Sequence, residues 1–209
     1  MRFACLIAAC LMGTAPAFAA EEAVKLDFSV AVAGMKAIKL EYRANLTAQN
    51  YQADVGVDVK GIAEMFADLD LDLKASGAIN GASLRPQAFE MKTTDEKQRR
   101  TTQVSWAPDG KPQGNRSFRL DEARAKAAEA ALEPNMPDPL SALMAVALTP
   151  PETLCEGTLR TYNGTEVLDF AFRKLGTDTF LEENQGVYTG PATRCRLELK
   201  PVAVANQMV

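Results

Sequence analysis

Hydrophobic and polar residues alternate along the first half of the chain. Val24, Leu26, Phe28, Val30 and Val32 are interleaved with Lys25, Asp27, Ser29 and Ala31. Ile38, Leu40, Tyr42, Ala44 and Leu46 alternate with Lys39, Glu41, Arg43 and Asn45. After a turn around Ala48-Gln49-Asn50 come Tyr51, Ala53, Val55, Val57 and Val59; later, Leu69, Leu71 and Leu73 alternate with Asp68, Asp70, Asp72 and Lys74. A period of two puts successive side chains on opposite faces, so each run predicts a strand with one buried and one wet face. Strands at 89–93 and 101–106 would complete an antiparallel meander, with Gly34, Gly61, Gly77 and Gly81 at its joints. Residues 61–67 suit a short helical turn.

The rhythm breaks between 107 and 151, which hold seven of the 11 prolines, so a run of strands is not expected there. Residues 121–133 are rich in Ala, Glu, Lys and Arg and stop at Pro134, which predicts a surface helix. Asp138-Pro139 then supplies an N-cap acceptor followed by proline at the first helical position. Leu140, Leu143, Met144, Ala147 and Leu148 form an apolar stripe at helical spacing before Pro150-Pro151. This helix should pack on the sheet or plug its mouth.

Strand patterning returns over 154–204. Strands at 158–162 and 165–172 flank Asn163-Gly164, the preferred pair for a type I′ hairpin turn. A last hairpin is expected from 179–182 into 187–200 across Asn184-Gln185-Gly186, with Gly190-Pro191 interrupting its second arm. Parity places Cys195, Leu197 and Leu199 on one face, expected to point inward, opposite Arg194, Arg196, Glu198 and Lys200. About ten strands and two helices give the fold class: mainly β, a curled antiparallel sheet (barrel or half-barrel) with one or two helices inserted in the middle third.

The chain has 209 residues, room for one domain and a targeting segment. Met1-Arg2, an apolar run over 3–12 and Ala17-Phe18-Ala19 read as a signal peptide with its cleavage site. Residues 1–19 are therefore expected to be removed, leaving 20–209 as a single β-rich domain exported to the periplasm. The alternative is a lipoprotein box at Ile7-Ala8-Ala9-Cys10, with Cys10 lipidated. No other stretch reaches the length of a membrane span. Removal of the leader reduces four cysteines to Cys155 and Cys195. Their spacing is wrong for a redox C-x-x-C pair, and nothing completes a zinc site, so a structural disulfide is expected in an oxidising compartment.

Composition narrows the chemistry further. Net charge is -4, which gives no basic footprint for nucleic acid. The chain has no histidine, which removes Ser-His-Asp and Cys-His mechanisms. Asp68, Asp70 and Asp72 invite a calcium reading, but Leu73 and Ile79 stand where an EF-hand loop needs Gly and Glu. They are expected on the wet face of a strand. Ser141 lacks a nucleophile elbow and is expected to hydrogen-bond locally in the first turn of its helix. Lys97, Arg99 and Arg100 suit a polar hairpin tip, or an anionic headgroup. Glu182-Glu183 need only solvation. No catalytic residue, metal site or cofactor is assigned, and an enzyme is not expected. Phe28, Tyr42, Tyr51, Phe66, Phe89, Met91, Trp106, Phe170, Phe172 and Phe180, with Leu140, Leu143 and Met144 on the helix, would fill a closed core or line a lipid-sized cavity.

Five segments carry a resemblance: Asp138-Pro139-Leu140-Ser141-Ala142-Leu143, Leu154-Cys155-Glu156-Gly157, Tyr162-Asn163-Gly164, Tyr188-Thr189-Gly190-Pro191-Ala192, and Cys195-Arg196-Leu197-Glu198-Leu199-Lys200-Pro201-Val202. In that order and spacing the chain resembles a family of exported bacterial proteins, the domain of unknown function DUF3108, best over 138–202. The resemblance implies a periplasmic, β-rich protein and brings no established catalytic residue. By looser analogy of fold, exported curled sheets with a helix in the mouth resemble carriers of lipids and lipoproteins. The expected role is envelope maintenance, with a lipid (or lipoprotein acyl chain) or an envelope protein as partner.

Overall fold

The computed structural model describes residues 22–32, 35–59, 69–81, 83–95, 98–150, 153–180 and 189–202. The leader, Cys10, the helical turn expected at 61–67, Asp68, Lys97, and the turn at 184–186 with Glu182-Glu183 lie outside the described residues.

The alternating runs form β1 (Glu22–Val32), β2 (Met35–Leu46), β3 (Asn50–Val59), β4 (Leu69–Asn80), β5 (Ser83–Asp95) and β6 (Arg99–Trp106), and a short β7 (Pro112–Arg116) follows. They make one antiparallel meander in chain order, open at β1 and at β7. Two helices come next, α1 (Glu122–Ala130) and α2 (Pro139–Ala147). A second antiparallel sheet, in the order β10-β9-β8, is built from β8 (Glu156–Tyr162), β9 (Val167–Phe180) and β10 (Gly190–Pro201). The fold is mainly β, with its two helices in the middle third, and neither sheet is closed.

Three departures from the sequence expectation have identifiable reasons, beside strand ends that extend past it, as β5 does over 83–95. β7 lies in the proline-rich stretch; as an edge strand it bears Pro112 at its first position without losing a ladder bond. The segment expected at 165–172 and the described start of that expected at 179–182 belong to one strand, β9, which continues past Gly176 with a shift of register against β10 beside it. Gly190-Pro191 opens β10 instead of interrupting it. Asn163-Gly164 does make a turn, but of four residues, with Tyr162 pairing Val167. Asn163 Oδ1 accepts from the amides of Thr165 and Glu166, each at 2.9 Å, and this side-chain turn takes the place of a two-residue one.

Cross-strand partners share a face, so the register sorts the large sheet into two sides. On the inner side run Val24–Ala44–Ala53–Ala75–Phe89–Val104 and, one pair along, Leu26–Tyr42–Val55–Leu73–Met91–Thr102. The outer side carries residues such as Lys39, Asp58 and Asp70, and Arg43, Asp54, Lys74 and Glu90. Asp70 and Asp72 are exposed there, on the wet face expected for them.

The core lies where α2 meets the inner face. Leu140 and Met144 pack with Tyr51, Phe89, Val104, Tyr162 and Val167, and α2 also touches β8 of the second sheet. The buried side of α2 is Leu140, Ser141, Ala142 and Met144, whereas Leu143 and Leu148 are 42% and 43% exposed. The stripe read from the sequence is thus corrected: helical spacing groups these apolar residues but does not say which flank the sheet covers.

The second sheet is tied to this core through its turns. Gly164 (φ +90) lies so close to β6 that a Cβ there would sit 2.2 Å from Thr102 Cγ2. Arg116 Nη1 donates to Gly164 O at 2.6 Å. Arg160 bridges Asp169, its cross-strand partner on β9, at 2.9 Å and Glu133 beyond α1 at 2.8 Å. Cys155 is buried and bonded to Cys195, with Cα atoms 5.6 Å apart. Cys195 itself is exposed, as are Leu197 and Leu199, which corrects the inward assignment. Leu199 does share a face with the buried Phe170, but β10 is an edge strand and overhangs the core.

The disulfide closes a loop of 40 residues, for which chain entropy predicts ~4 kcal/mol of stabilisation. A Cys155→Ser/Cys195→Ser double variant should lose about that much in urea denaturation. A midpoint equal to that of the oxidised parent would show that the pairing does not contribute.

Candidate functional site

Two features of this fold concentrate chemistry: a polar chain sealed under α2, and the part of the inner face that α2 leaves uncovered.

The polar chain begins at the N-cap of α2. Asp138 Oδ1 accepts from the amides of Leu140 and Ser141 at 3.0 and 2.9 Å, satisfying two donors at the helix start. Ser141 Oγ donates to Asp138 Oδ2, so the hydroxyl of Tyr51, 2.7 Å from Ser141 Oγ, is the donor to it. The local hydrogen bonding expected of Ser141 is present, and its extension to β3 is new. Gly77, the cross-strand partner of Tyr51 on β4, lets the tyrosine ring come close; a Cβ there would be 2.7 Å from the ring. Asp138 and Ser141 are both 0% exposed. Burial raises the Asp138 carboxyl from 3.8 to about 6 against the pull of its hydrogen bonds, and raises Tyr51 to about 12. Among the described residues no buried side-chain nitrogen or oxygen lacks a partner. A Tyr-Ser-Asp chain enclosed in this way fixes the helix to the sheet.

The uncovered surface lies past the end of α2. Tyr42 donates to Met144 Sδ, which places the last buried turn of the helix over β2. Beyond it, on β1, Val24, Leu26 and Phe28 are 37%, 38% and 50% exposed although they face the same side as the core. One further pair along the strands, Phe28–Leu40–Val57–Leu71–Thr93–Arg100 forms a third inner row. Leu40, Val57 and Leu71 are half-buried and lie outside the packed core. At the β6 end of this row a cavity of about 230 Å³ is lined by Met91, Phe118, Leu120, Arg100, Arg124 and Glu166 among others.

The basic cluster read from the sequence is divided by the pleat. Arg99 pairs with Thr94 on the outer side, and Arg100 pairs with Thr93 on the inner side. The guanidinium of Arg100 lies 5.7 Å from the centroid of Phe118 and donates to Gln98 Oε1 at 3.0 and 3.2 Å. Arg124, on α1, was not singled out by its sequence context, since a lone arginine in an Ala-rich helix carries no signal.

On the outer face a shallow depression of about 700 Å³ crosses β3 to β7. Its charged residues are all partnered: Lys74 lies 3.9 Å from Asp54, and Glu90 accepts from Gln103 at 3.0 Å and pairs with Lys92 at 2.6 Å. Among the described residues no three acidic or cysteine side chains converge to hold a metal ion, and no helix is long and apolar enough to cross a membrane.

A family model with the description "Protein of unknown function (DUF3108)" matches residues 27–201, from β1 to the end of β10. No curated protein and no solved structure gives a significant match.

The buried carboxyl makes a signed prediction. A folded-state value of about 6 against 3.8 means the folded chain holds this proton more tightly. The site's contribution is complete below about pH 4 and falls through about pH 6, by roughly 3 kcal/mol in all. Asp138→Asn keeps the cap acceptor without the charge, so its stability relative to the parent should improve between pH 4 and pH 7.5 in urea denaturation. A relative stability that worsens over that range would sink the assignment. Asp138→Ala should be less stable by about 1–2 kcal/mol at low pH as well, through loss of the cap.

Proposed function

The chain belongs to the DUF3108 family, and from its uncovered inner face we propose an exported, non-enzymatic role in the bacterial envelope. In this reading it resides in the periplasm and binds an apolar ligand, a lipid or the acyl chain of a lipoprotein.

The observation that carries the reading is the mismatch between the apolar face and its cover. The inner face is apolar from β1 to β5, while α2 packs over β4 and β5 and reaches only as far as Tyr42 on β2. Fully burying a Val, Leu or Phe side chain is worth about 1.5–3 kcal/mol. Val24, Leu26 and Phe28 in one row on β1, with Leu143 and Leu148 on the free flank of α2, therefore offer several kcal/mol to whatever covers them. Contiguous exposure of this kind on an inward-turned face fits a ligand better than it fits a finished core. The sealed Asp138 chain and the self-paired outer face supply no competing site.

A second reading has its own observation: β1 is an open sheet edge of 11 residues, with backbone groups ready to pair with a partner's strand. On that view the chain is an interaction module in envelope maintenance.

Native mass spectrometry after detergent-free purification separates the two. The ligand reading expects a discrete extra mass that extracts into organic solvent, together with saturable uptake of a fluorescent fatty acid. Leu26→Glu/Phe28→Asp should weaken that uptake about tenfold or more while the melting temperature stays within a few degrees. A bare chain that takes up no fatty acid, yet crosslinks through β1 to envelope proteins, would replace it with the second.

A further inference from the structure

We propose that the amphiphile bound on the inner face carries an acidic headgroup, and that Arg100 and Arg124 receive it. This rests on the apolar-ligand reading above and adds a polarity and a direction to it.

The third inner row is itself amphipathic. From β1 to β6 it reads Phe28, Leu40, Val57, Leu71, Thr93, Arg100: four apolar side chains, a hydroxyl, and one cation at the end. Six strands are five inter-strand steps of ~4.8 Å, a track of about 24 Å. One leaflet of a bilayer, half of a ~30 Å hydrocarbon core, is about 15 Å deep, so the track is long enough to lay down an acyl chain. The track ends in the cavity where Arg100 and Arg124 meet the apolar side chains of Met91, Phe118 and Leu120.

Two arginines at the end of an apolar track call for an anion. Among the described residues neither Arg100 nor Arg124 is held in an ion pair; Arg100 is oriented by two neutral groups, the Phe118 ring and the Gln98 amide oxygen. Stacking and neutral acceptors fix the guanidinium without neutralising it, which leaves its charge for a carboxylate or phosphate. The cavity wall also contains Glu166, so two positive charges stand against one negative. That balance favours a headgroup with a single acidic function. Each ligand end then meets matching chemistry, the head at β6 and the chain tail at Phe28.

The test compares a naturally fluorescent long-chain fatty acid with its methyl ester, titrated into the full chain at pH 8. The acid is expected to bind about tenfold tighter or more than the ester, and added salt should narrow that gap by weakening the acid alone. Arg100→Gln and Arg124→Gln should bring the acid down towards the ester and leave the ester unchanged. A monoacyl phosphatidic acid in place of the fatty acid tells a phosphate headgroup from a carboxylate. Equal binding of acid and ester by the unaltered chain would overturn the headgroup while the apolar-ligand reading survives. Absence of binding by both would remove that reading and this one with it.

Discussion

The buried hydrogen-bond chain from Tyr51 through Ser141 to Asp138 decides where everything else sits. A carboxyl group taken out of water is costly, and here the cost is partly offset by the two helix amides and the serine hydroxyl that it binds. Those three bonds are local to the cap; the fourth, from Tyr51 to Ser141, exists only with α2 in one register and at one height over β3. Apolar packing alone would tolerate a sliding helix, because the inner face repeats the same chemistry from strand to strand. The polar chain removes that freedom and makes the helix position a fixed property of the fold.

Once the helix is fixed, the remaining surface follows. Nine residues of α2 cannot cover a sheet of seven strands, and their placement over β4 and β5 leaves β1 bare. The opposite end of the inner face is closed by other means: the β8–β9 turn presses Gly164 against Thr102, and Trp106 Nε1 donates to Met136 O at 2.9 Å. The sheet is therefore filled on one side and open on the other, with the arginines Arg100 and Arg124 near the boundary. Its outer face, laced with short ion pairs such as Arg43–Glu41 and Lys92–Glu90, is ordinary solvated sheet.

Alternation in the sequence was a faithful guide to strands and faces, because a pleated strand has no choice but to alternate its side chains. It identified β1 to β3 and the wet aspartates almost to the residue. It failed where a residue type has two uses. Pro112 reads as a strand breaker and occupies the start of an edge strand; Gly77 reads as a joint and lies inside β4. The apolar stripe on α2 and the inward assignment of Cys195 failed for another reason: periodicity reports which residues share a side, while burial depends on what arrives from elsewhere in the chain. The candidate site was legible only as a list of apolar positions. Arg124 joins it through the return of α1 to the sheet, which no local pattern records. By contrast, Asp138-Pro139-Leu140-Ser141, the first of the segments that carried the family resemblance, is the helix cap and polar chain itself, so that part of the signal reports architecture.

The meander also has a kinetic side. Every strand from β1 to β7 pairs with its immediate neighbour in sequence, so no pairing in that sheet waits for a distant segment, and each hairpin closes a short loop at small entropic cost. The long-range events are the seating of α2, which joins residues 90 positions apart at Tyr51 and Ser141, and the arrival of the β8–β9 turn. A chain emerging N-terminus first can therefore assemble its large sheet before its lid exists. During that interval the whole inner face is open, and the last steps of folding are the ones that decide how much of it closes.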